Sequence, residues 1–307
     1  MFSYLYTIYM SFPLTIIPRE DFKDHPLLAR LLELHDIPEQ IYLAGTLPSV
    51  TIDSYGRATP RILTVIGSRS YTSYGKLALE KLIGAIRGED VIILSGLALG
   101  IDALSHQAAL ASNLTTIAVP GSGLDAKVIY PRTHLPLAED IVEVGGALLS
   151  EFAPEMQAAQ WTFPARNRIM AALSDALLVI QATDKSGTLI TARQALELGR
   201  DIGAIPGDIF SDSSYGTNML IKEGAYMVRN EDDLRDLLHL EKKTTVPEIQ
   251  EYSTEEKKIL DTLTEPMEKD LLLIKCELSP DQFLMTLSTL EMKGLIHETF
   301  GEVRKVV

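Results

Sequence analysis

From residue 62 to residue 239, the chain repeats one pattern: a short, continuously apolar run, then a segment with apolar residues at helical spacing. In the first repeat the run is 62–66, and Leu79, Leu82 and Ile83 follow at spacings of three and four residues. The repetition predicts strands that alternate with helices. The apolar runs fall at 62–66, 91–94, 114–119, 147–149, 176–181, 202–205 and 225–228, and the helical patterns at 75–87, 101–112, 133–143, 164–173, 188–199, 215–222 and 230–239.

The predicted strands are apolar at every position instead of at alternate positions. This is typical of a parallel sheet that helices cover on both faces. We therefore predict a doubly wound, mostly parallel α/β domain, in which ligands bind at the carboxyl ends of the strands. Residues 21–60 lack the pattern, and we predict them to be irregular apart from a helix at 26–35 and a short apolar piece at 41–44.

The pattern divides the chain into four predicted parts. These are an N-terminal extension (1–56), the α/β domain (57–240), a polar and charged linker (241–252) and a small C-terminal domain (253–307). In the last part, three helical patterns precede two short strands that turn near Gly301. Three helices followed by a hairpin predict a winged-helix domain.

The third helix of this predicted domain is acidic, because Asp281 and Glu291 stand against one nearby base, Lys293. An acidic helix is a poor reader of DNA, since it repels the phosphates. Contact with a protein or simple packing is therefore favoured for this domain, and duplex binding is the alternative.

Composition narrows the possible classes of protein. A chain of 307 residues with 46% hydrophobic and 23% charged residues is typical of a soluble globular protein. Its one cysteine, Cys276, excludes an internal disulfide and favours a reducing, cytoplasmic setting. The net charge of −14 argues against a protein that coats nucleic acid through its overall charge. Because acids are concentrated in 231–270, a local basic groove elsewhere remains compatible with this charge.

Residues 1–17 are apolar but lack the basic n-region of a signal peptide. Pro13 interrupts them, and they are too short to span a bilayer. We expect an ordered N-terminal segment. A true start at Met10 and a membrane anchor are the alternatives.

The loop 67–75 joins the first predicted strand directly to a helix. The start of a helix leaves backbone N–H groups without partners, which makes it a natural seat for an anion. Hydroxyl groups of Ser68 and Thr72 and the guanidinium of Arg69 surround this seat. The loop is therefore predicted to bind phosphate.

Polar residues also follow other predicted strands. The segment 95–102 contains Ser95 and two glycines and ends at Asp102, and His106 lies one helical turn further on. A catalytic set of Ser95, Asp102 and His106, or a metal site at the last two, is possible but disfavoured. No nucleophile elbow accompanies the serine, no third metal ligand is evident, and an Asp–His pair at this spacing is usually structural. The segment 121–125 (GSGLD) is too short for a dinucleotide fingerprint and is interpreted as a tight turn.

Two further segments favour a polyanion. Phe163-Pro-Ala-Arg-Asn-Arg168 places an aromatic ring, two arginines and an amide at a helix start, which suits phosphate and a stacked base better than a structural ion-pair cluster. Lys185 to Thr191 caps another helix with hydroxyls, and Pro206-Gly207 ends the next strand. Neither a Walker A motif nor HExxH is present. Binding therefore explains these loops better than catalysis.

Six motifs, in this order and spacing, resemble those of the DNA-processing protein A family, DprA, also called Smf. The similar region covers about residues 40–240, and the C-terminal part resembles the small winged-helix domain of many members. The N-terminal helical domain of many relatives is expected to be absent. The motifs are GSRxxTxYG (67–75), SGLAxGID (95–102), GxGLD (121–125), FPARNRI (163–169), SGTLITAR (186–193) and PG (206–207).

The resemblance implies an extended Rossmann-like fold that forms a homodimer and binds single-stranded DNA. It also implies loading of the RecA recombinase onto that strand during recombination and natural transformation, without catalytic turnover, cofactor or metal. By the resemblance, Phe163, Arg166 and Asn167 lie near the bases. The implied phosphate-binding residues are Gly67, Ser68, Arg69, Thr72, Ser95, Gly96, Gly100, Lys185, Ser186, Gly187 and Thr188.

The chain departs from the family pattern at two positions. Leu99 stands where relatives commonly have Arg or Lys, and Gln160 stands at a position that is basic in some relatives. Each lost phosphate contact weakens binding and lowers its salt dependence. A weaker DNA binder, or one that prefers another ligand, is therefore expected. The fold also resembles nucleotide hydrolases of the lysine-decarboxylase-like family, but their PGGxGTxxE signature is missing, so a nucleotide hydrolase or sensor is the alternative function.

Overall fold

The computed structural model describes residues 13–240, 252–299 and 301–305. The chain divides into two units between residues 242 and 243, and each unit is described by itself. The predictions for residues 1–12 and for the linker 241–252, except its last residue, lie outside the described residues.

A nine-stranded sheet forms the centre of the N-terminal unit, with a separate two-stranded ribbon of β3 and β4. The order of the large sheet is β1-β2-β8-β7-β6-β5-β9-β10-β11. The strands are β1 (Leu14–Pro18), β2 (Gln40–Gly45), β3 (Thr51–Ile52), β4 (Ala58–Thr59), β5 (Arg61–Ile66), β6 (Val91–Ser95), β7 (Thr115–Ala118), β8 (Ala147–Ser150), β9 (Ala176–Val179), β10 (Asp201–Ala204) and β11 (Tyr226–Met227).

Eight α-helices connect these strands within the described residues of this unit, together with short 3-10 turns. They are α1 (Pro26–Ala29), α2 (Ser73–Ala85), α3 (Ile101–Ala111), α4 (Leu135–Glu143), α5 (Thr162–Leu173), α6 (Gly187–Glu197), α7 (Tyr215–Lys222) and α8 (Glu231–Leu237).

The seven strands β5 to β11 are all parallel, which confirms the prediction of a mostly parallel α/β sheet. Successive residues of a strand point to opposite faces. Thus Ile62 of β5 packs in the cluster that contains α5 and α6, and Leu63 packs in the cluster that contains α2 and α3. Both faces are buried, which explains why the strands are apolar at every position.

The chain order sets the location of the ligand crevice. From β5 the chain proceeds through β6, β7 and β8 on one side, and then returns to continue through β9, β10 and β11 on the other. The order therefore reverses between β5 and β9. In open α/β sheets the crevice lies at such a switch point, outside the carboxyl ends of the strands.

The segment before residue 60 is more regular than the sequence predicts. The apolar piece at 41–44 is part of β2, which pairs antiparallel with β8 on one side and with β1 on the other. Phe22, Leu27 and Leu31 pack into the same core as Ile62. The structure thus places most of the predicted N-terminal extension within the main sheet and its core.

Arg30 connects this segment to the start of β5. Its Nη2 lies 2.7 Å from Asp175 Oδ1, and both side chains are buried. The same carboxylate accepts hydrogen bonds from the backbone N–H of Ala58 (2.9 Å) and of Ile62 (2.7 Å). Asp175 therefore joins three separate segments at the amino ends of the strands.

The C-terminal unit has its own core of Ile259, Leu272, Phe283, Leu287 and Val303, among others. It begins with a capping box in which Ser253 and Glu256 bond each other's backbone. A strand after the first helix, which the sequence does not predict, joins the hairpin in an antiparallel sheet of order β12-β14-β13. The elements are α9 (Thr254–Thr262), β12 (Met267–Glu268), α10 (Lys269–Cys276), α11 (Pro280–Met292), β13 (Ile296–Thr299) and β14 (Glu302–Lys305).

Among the helices that the structure describes, none combines the length and the apolar character that a membrane span requires.

Candidate functional site

A cavity of about 260 Å³ opens at the switch point, between the loops that follow β5 and β9. We name it the switch-point cavity. Nine of the fourteen predicted binding residues line it, namely Gly67, Ser68, Arg69, Phe163, Arg166, Asn167, Ser186, Gly187 and Thr188. The remaining lining residues are Ile66, Ala98, Asp102, Pro164, Met170, Ile190 and Thr191.

The loop after β5 forms one wall and is held from below by the start of α3. The Ser68 hydroxyl donates to the carbonyl of Ser70 (2.7 Å), and the Ser68 carbonyl accepts from the N–H of Ile101 (3.1 Å). Gly100, with φ +83°, lies so close that a Cβ there would be 2.3 Å from the Ser68 carbonyl oxygen. Gly100 therefore shapes the loop and does not line the cavity.

Thr72 ends this loop as the N-cap of α2. Its hydroxyl accepts from the N–H of Gly75 (3.2 Å) and from Gln181 Nε2 (2.9 Å), while Gln181 Oε1 accepts from the Thr72 N–H (2.9 Å). Capping thus occupies the Thr72 hydroxyl, which lies outside the cavity. Sequence reasoning missed Gln181, although a polar residue at the end of the apolar run 176–181 was a usable signal.

Arg69 and Phe163 face each other across the mouth of the cavity. The Cζ atom of Arg69 lies 5.1 Å from the centroid of the Phe163 ring, which is within the range of a cation–π contact. The ring also approaches Gly121 so closely that a Cβ there would lie 2.6 Å from a ring carbon. Gly121 is therefore needed to make room for Phe163.

The N-terminus of α6 forms the opposite wall. Ser186 is its N-cap, because its hydroxyl accepts from the N–H of Thr188 (3.2 Å). The Thr188 hydroxyl reaches across to the carbonyl of Gly67 (3.3 Å) and so joins the two walls. Ser186, Gly187 and Thr188 at this helix start line the cavity, and the positive end of a helix dipole favours an anion there. Lys185 is exposed directly before this helix but does not line the cavity.

Arg166 forms the floor and is not an exposed contact residue. It is only 5% exposed, and its Nη1 donates to the carbonyls of Gly96 (2.6 Å) and Val119. Burial raises the pKa of the neighbouring Asp102, an effect that the Arg166 charge opposes. A Cβ at Gly96 would lie 1.8 Å from Arg166 Nη1. Arg166 and Gly96 thus form a buried support beneath the cavity, and their predicted base and phosphate contacts stay predictions.

Ser95 is fully buried, and its hydroxyl donates to the carbonyl of Val65 (2.6 Å). The structure therefore gives no support to the predicted phosphate contact of its side chain. His106 is also fully buried; its Nδ1 lies 2.7 Å from the Thr116 hydroxyl, and burial lowers its pKa to about 3. Ser95 and His106 thus bond to different partners, and Asp102 belongs to the floor. No three metal-ligating side chains cluster within the described ranges.

The two departures from the family pattern lie on the surface. Leu99 and Gln160 are both exposed, and neither lines the cavity. Gln160 lies just before α5, which contributes Phe163 and Asn167 to the cavity.

Fold and site define a class: an open, mostly parallel α/β protein with a pocket at the switch point that is lined by a guanidinium, hydroxyls and a helix N-terminus. A family model described as DNA recombination-mediator protein A matches residues 18–239, which is more than half of the chain. The chain belongs to this family. The matched region includes β2 and ends within residues 230–239, where α8 lies.

Individual relatives agree with this assignment. The chain is 40% identical to protein Smf of Escherichia coli over 209 residues, which cover 68% of this chain and 53% of that one. It is 38% identical to the DNA processing protein DprA of Bacillus subtilis over 204 residues, which cover 66% of this chain and 65% of the relative. The matched region thus spans between about half and two thirds of these relatives' length.

Two solved structures share the fold. DprA from Streptococcus pneumoniae superposes with a TM-score of 0.63 at 36% identity, covering 74% of this chain and 75% of that one. DprA from Helicobacter pylori superposes with a TM-score of 0.61 at 28% identity, covering 76% of this chain and 98% of that one. The H. pylori protein is described as binding single-stranded DNA in a unique mode.

Proposed function

We propose that this protein is a recombination mediator that binds single-stranded DNA and does so without catalysis. The observation that carries the proposal is the convergence of Arg69, Phe163 and the N-terminus of α6 on the switch-point cavity. The guanidinium and the helix N–H groups suit a phosphate, and both act without reading sequence. An aromatic ring at the same opening suits an unstacked base, which a duplex does not offer.

Membership of the DNA recombination-mediator family supports the same proposal, as does the single-strand binding described for the H. pylori relative. By this proposal the protein loads a RecA recombinase onto the bound strand during recombination and DNA uptake, in the cytoplasm. The proposed contact set is the exposed part of the switch-point cavity together with Lys185.

We also propose a homodimer through the edge of the sheet at β11. This strand pairs only with β10 among the described strands, so one side of it is open. Tyr226 and Met227 of β11 are exposed, and Leu196 of α6 is 66% exposed. A cavity of about 170 Å³ between α6 and β11 includes Leu196 and Tyr226. An open strand edge beside exposed apolar side chains is suited to contact with a second copy.

The C-terminal unit is proposed to be a winged-helix domain that contacts protein. Its three helices, with a three-stranded antiparallel sheet, fit that architecture. The third helix, α11, exposes Met285 and Met292 beside Asp281 and Glu291. Flexible methionines suit a protein partner, and the acids disfavour DNA.

Fluorescence anisotropy with labelled oligo-dT, in competition with duplex DNA and at several salt concentrations, tests the proposal. The expected result is binding of oligo-dT that weakens as salt rises and that duplex competes for poorly. The absence of oligo-dT binding at low salt, combined with a rise in melting temperature on addition of a nucleotide, would instead favour the nucleotide hydrolase or sensor. A RecA filament-nucleation assay on oligo-dT then tests loading.

A further inference from the structure

The aromatic ring inside the switch-point cavity is already in contact with protein. Arg69 lies over the Phe163 ring, and the backbone of Gly121 closely approaches it. A base reaches the ring face beneath Arg69 only when the guanidinium moves aside. Another exposed ring nearby, Tyr130, needs no such displacement.

Tyr130 stands beside Phe163 and is 45% exposed. The two ring centroids are 5.8 Å apart, and the ring planes are tilted by 55°. Tyr130 belongs to the segment between β7 and α4, whereas Phe163 belongs to α5. Two elements distant in sequence thus form one aromatic surface at the rim of the cavity.

The segment that carries Tyr130 is anchored to the fold on both sides of the ring. Its neighbours Ile129 and Pro131 are buried. Asp125 opens a turn there, because its carboxylate accepts from the N–H of Lys127 (2.8 Å) and its carbonyl accepts from the N–H of Val128 (2.9 Å). A fixed ring loses little conformational entropy on binding, which favours its use as a stacking platform.

The charge around Tyr130 suits a nucleic acid. Lys127 and Arg132 are exposed on the same segment, and Arg132 Nη1 lies 3.5 Å from the Lys127 carbonyl. The acid of the segment, Asp125, is buried, and its carboxylate is used by the turn. Two cations therefore flank an exposed ring.

We propose that Tyr130 is a second base-binding subsite, which stacks a nucleobase next to the nucleotide at the switch-point cavity, and that Arg132 contacts the adjoining phosphate. The proposal rests on the proposed function. It extends the groove from the loops after β5 and β9 across the loop after β7. Leu99 and Gln160 stand where relatives can have a basic residue. The proposed subsite provides a cation, Arg132, at a different position.

The test compares the affinities of Tyr130→Ala, Tyr130→Phe and wild type for labelled oligo-dT. Loss of one stacked base is expected to weaken binding by about fivefold or more for Tyr130→Ala, whereas Tyr130→Phe keeps the ring and binds like wild type. Tyr55→Ala is the matched control, because this exposed tyrosine lies between β3 and β4, near the start of β5. Trp161, the single tryptophan, is 58% exposed at the start of α5 and provides a label-free fluorescence signal.

Oligonucleotides with one abasic position, moved along the strand, locate the subsite. Wild type is expected to lose affinity at the position over Tyr130, and Tyr130→Ala is expected to show no further loss there. Arg132→Ala should lower the slope of log affinity against log salt by about 0.7, whereas Tyr130→Ala should leave this slope unchanged.

If Tyr130→Ala binds every oligonucleotide as tightly as wild type does, the subsite proposal is overturned and the proposed function is left intact. Equal losses for Tyr130→Ala and Tyr130→Phe also overturn it, because stacking does not need the hydroxyl. If wild type does not bind oligo-dT, the proposed function and the subsite both fail. Melting temperatures of the variants separate a lost contact from a misfolded chain.

Discussion

Two cavities with arginines lie at opposite ends of the same strands, and their arginines are used differently. The switch-point cavity lies at the carboxyl ends of β5 and β9. The second, of about 360 Å³, lies at the amino ends of β5, β9 and β10, and we name it the amino-end cavity. Its lining includes Arg57, Arg61, Asp175, Arg200 and Asp201.

At the amino-end cavity most arginines pair with carboxylates, although the buried Nη1 of Arg61 has no hydrogen-bond partner among the described residues. Asp175 binds the buried Arg30, and Arg200 Nη2 lies 2.5 Å from Glu33. Arg57 lies 3.4 Å from Asp53. The pairs of Arg30 and Arg200 join the N-terminal segment to the sheet, so their charges act in the fold, whereas the Arg57–Asp53 pair is local to the β3–β4 ribbon.

At the switch-point cavity Arg69 has an aromatic ring as its neighbour. Within the described ranges, no carboxylate lies within ion-pair distance of its guanidinium. A cation without an ion-pair partner contributes little to stability and is available to an anionic ligand. The comparison teaches that arginines differ by their partners. Arg30 and Arg200 pair with carboxylates, and Arg166 donates to backbone carbonyls under the switch-point cavity. Arg69 makes no ion pair among the described residues and is the arginine proposed to contact the ligand there.

Asp175→Ala is expected to have the largest effect on stability. It leaves the buried Arg30 unpaired and removes the acceptor of two backbone N–H groups, so we expect a loss of about 3–5 kcal/mol in the free energy of unfolding. Urea denaturation measures this loss, and Asp201→Asn, which alters an exposed pair with His239, is the control at about 0–1 kcal/mol. The fraction that remains folded should bind oligo-dT as wild type does. Weaker binding by that folded fraction would break the comparison.

The pH dependence of stability sharpens the comparison, because His106, a neutral buried group, lies close to the switch-point floor. Its pKa is about 3 in the fold, against 6.5 for an ordinary histidine, so the unfolded chain binds the proton first as the pH falls. Its contribution is complete above about pH 6.5 and is lost between there and about pH 3. Wild type should lose up to about 1.4 kcal/mol per pH unit more than His106→Gln in this window.

Urea denaturation of wild type and His106→Gln at pH 7, 6 and 5 measures that difference. If the unfolding free energies of wild type and His106→Gln fall in parallel as the pH is lowered, His106 does not have a lowered pKa in the fold. The burial of a neutral histidine would then not distinguish the switch-point floor from the amino-end cavity.

Arg69→Ala should change binding and leave stability almost unchanged. Loss of one charged phosphate contact is expected to weaken oligo-dT binding about tenfold and to lower the salt slope by about 0.7. The matched control is Arg87→Ala, an exposed arginine just beyond the other end of α2. A shift of more than about 0.5 kcal/mol in unfolding free energy, or equal binding losses for both variants, would contradict the distinction between the two ends.

Much of the fold follows from the sequence because strands buried on both faces have a distinctive apolar pattern. One exception is β2, where 41–44 was predicted only as a short apolar piece. Its partner on the sheet side, β8, lies about a hundred residues further along the chain. A pattern within one segment carries no information about a partner so distant.

The site was predicted at the level of its loops, but only in part at the level of its side chains. Ser95 and Ser186 both follow apolar runs and both carry a hydroxyl group. The Ser95 hydroxyl is buried and donates to the Val65 carbonyl, whereas the Ser186 hydroxyl caps α6 at the cavity. Neighbouring residues of a strand point to opposite faces, so a small error in phase reverses an assignment. On the helix α5 successive residues point about 100° apart. Arg166 is therefore buried in the floor while Asn167, the next residue, is half-buried at the wall.

Lys185→Ala provides the finest comparison, because Lys185 lies beside the switch-point cavity but does not line it. Its ammonium is exposed and flexible, so its contact with a phosphate is screened by water, and removing it should weaken oligo-dT binding only about twofold, equivalent to about 0.5 kcal/mol. Lys81→Ala, an exposed lysine on α2, is the control for the change in overall charge. If Lys185→Ala costs as much affinity as Arg69→Ala, the phosphates of the strand pass along the start of α6, outside the cavity. A cation that lines the cavity would then contribute no more to binding than one beside it.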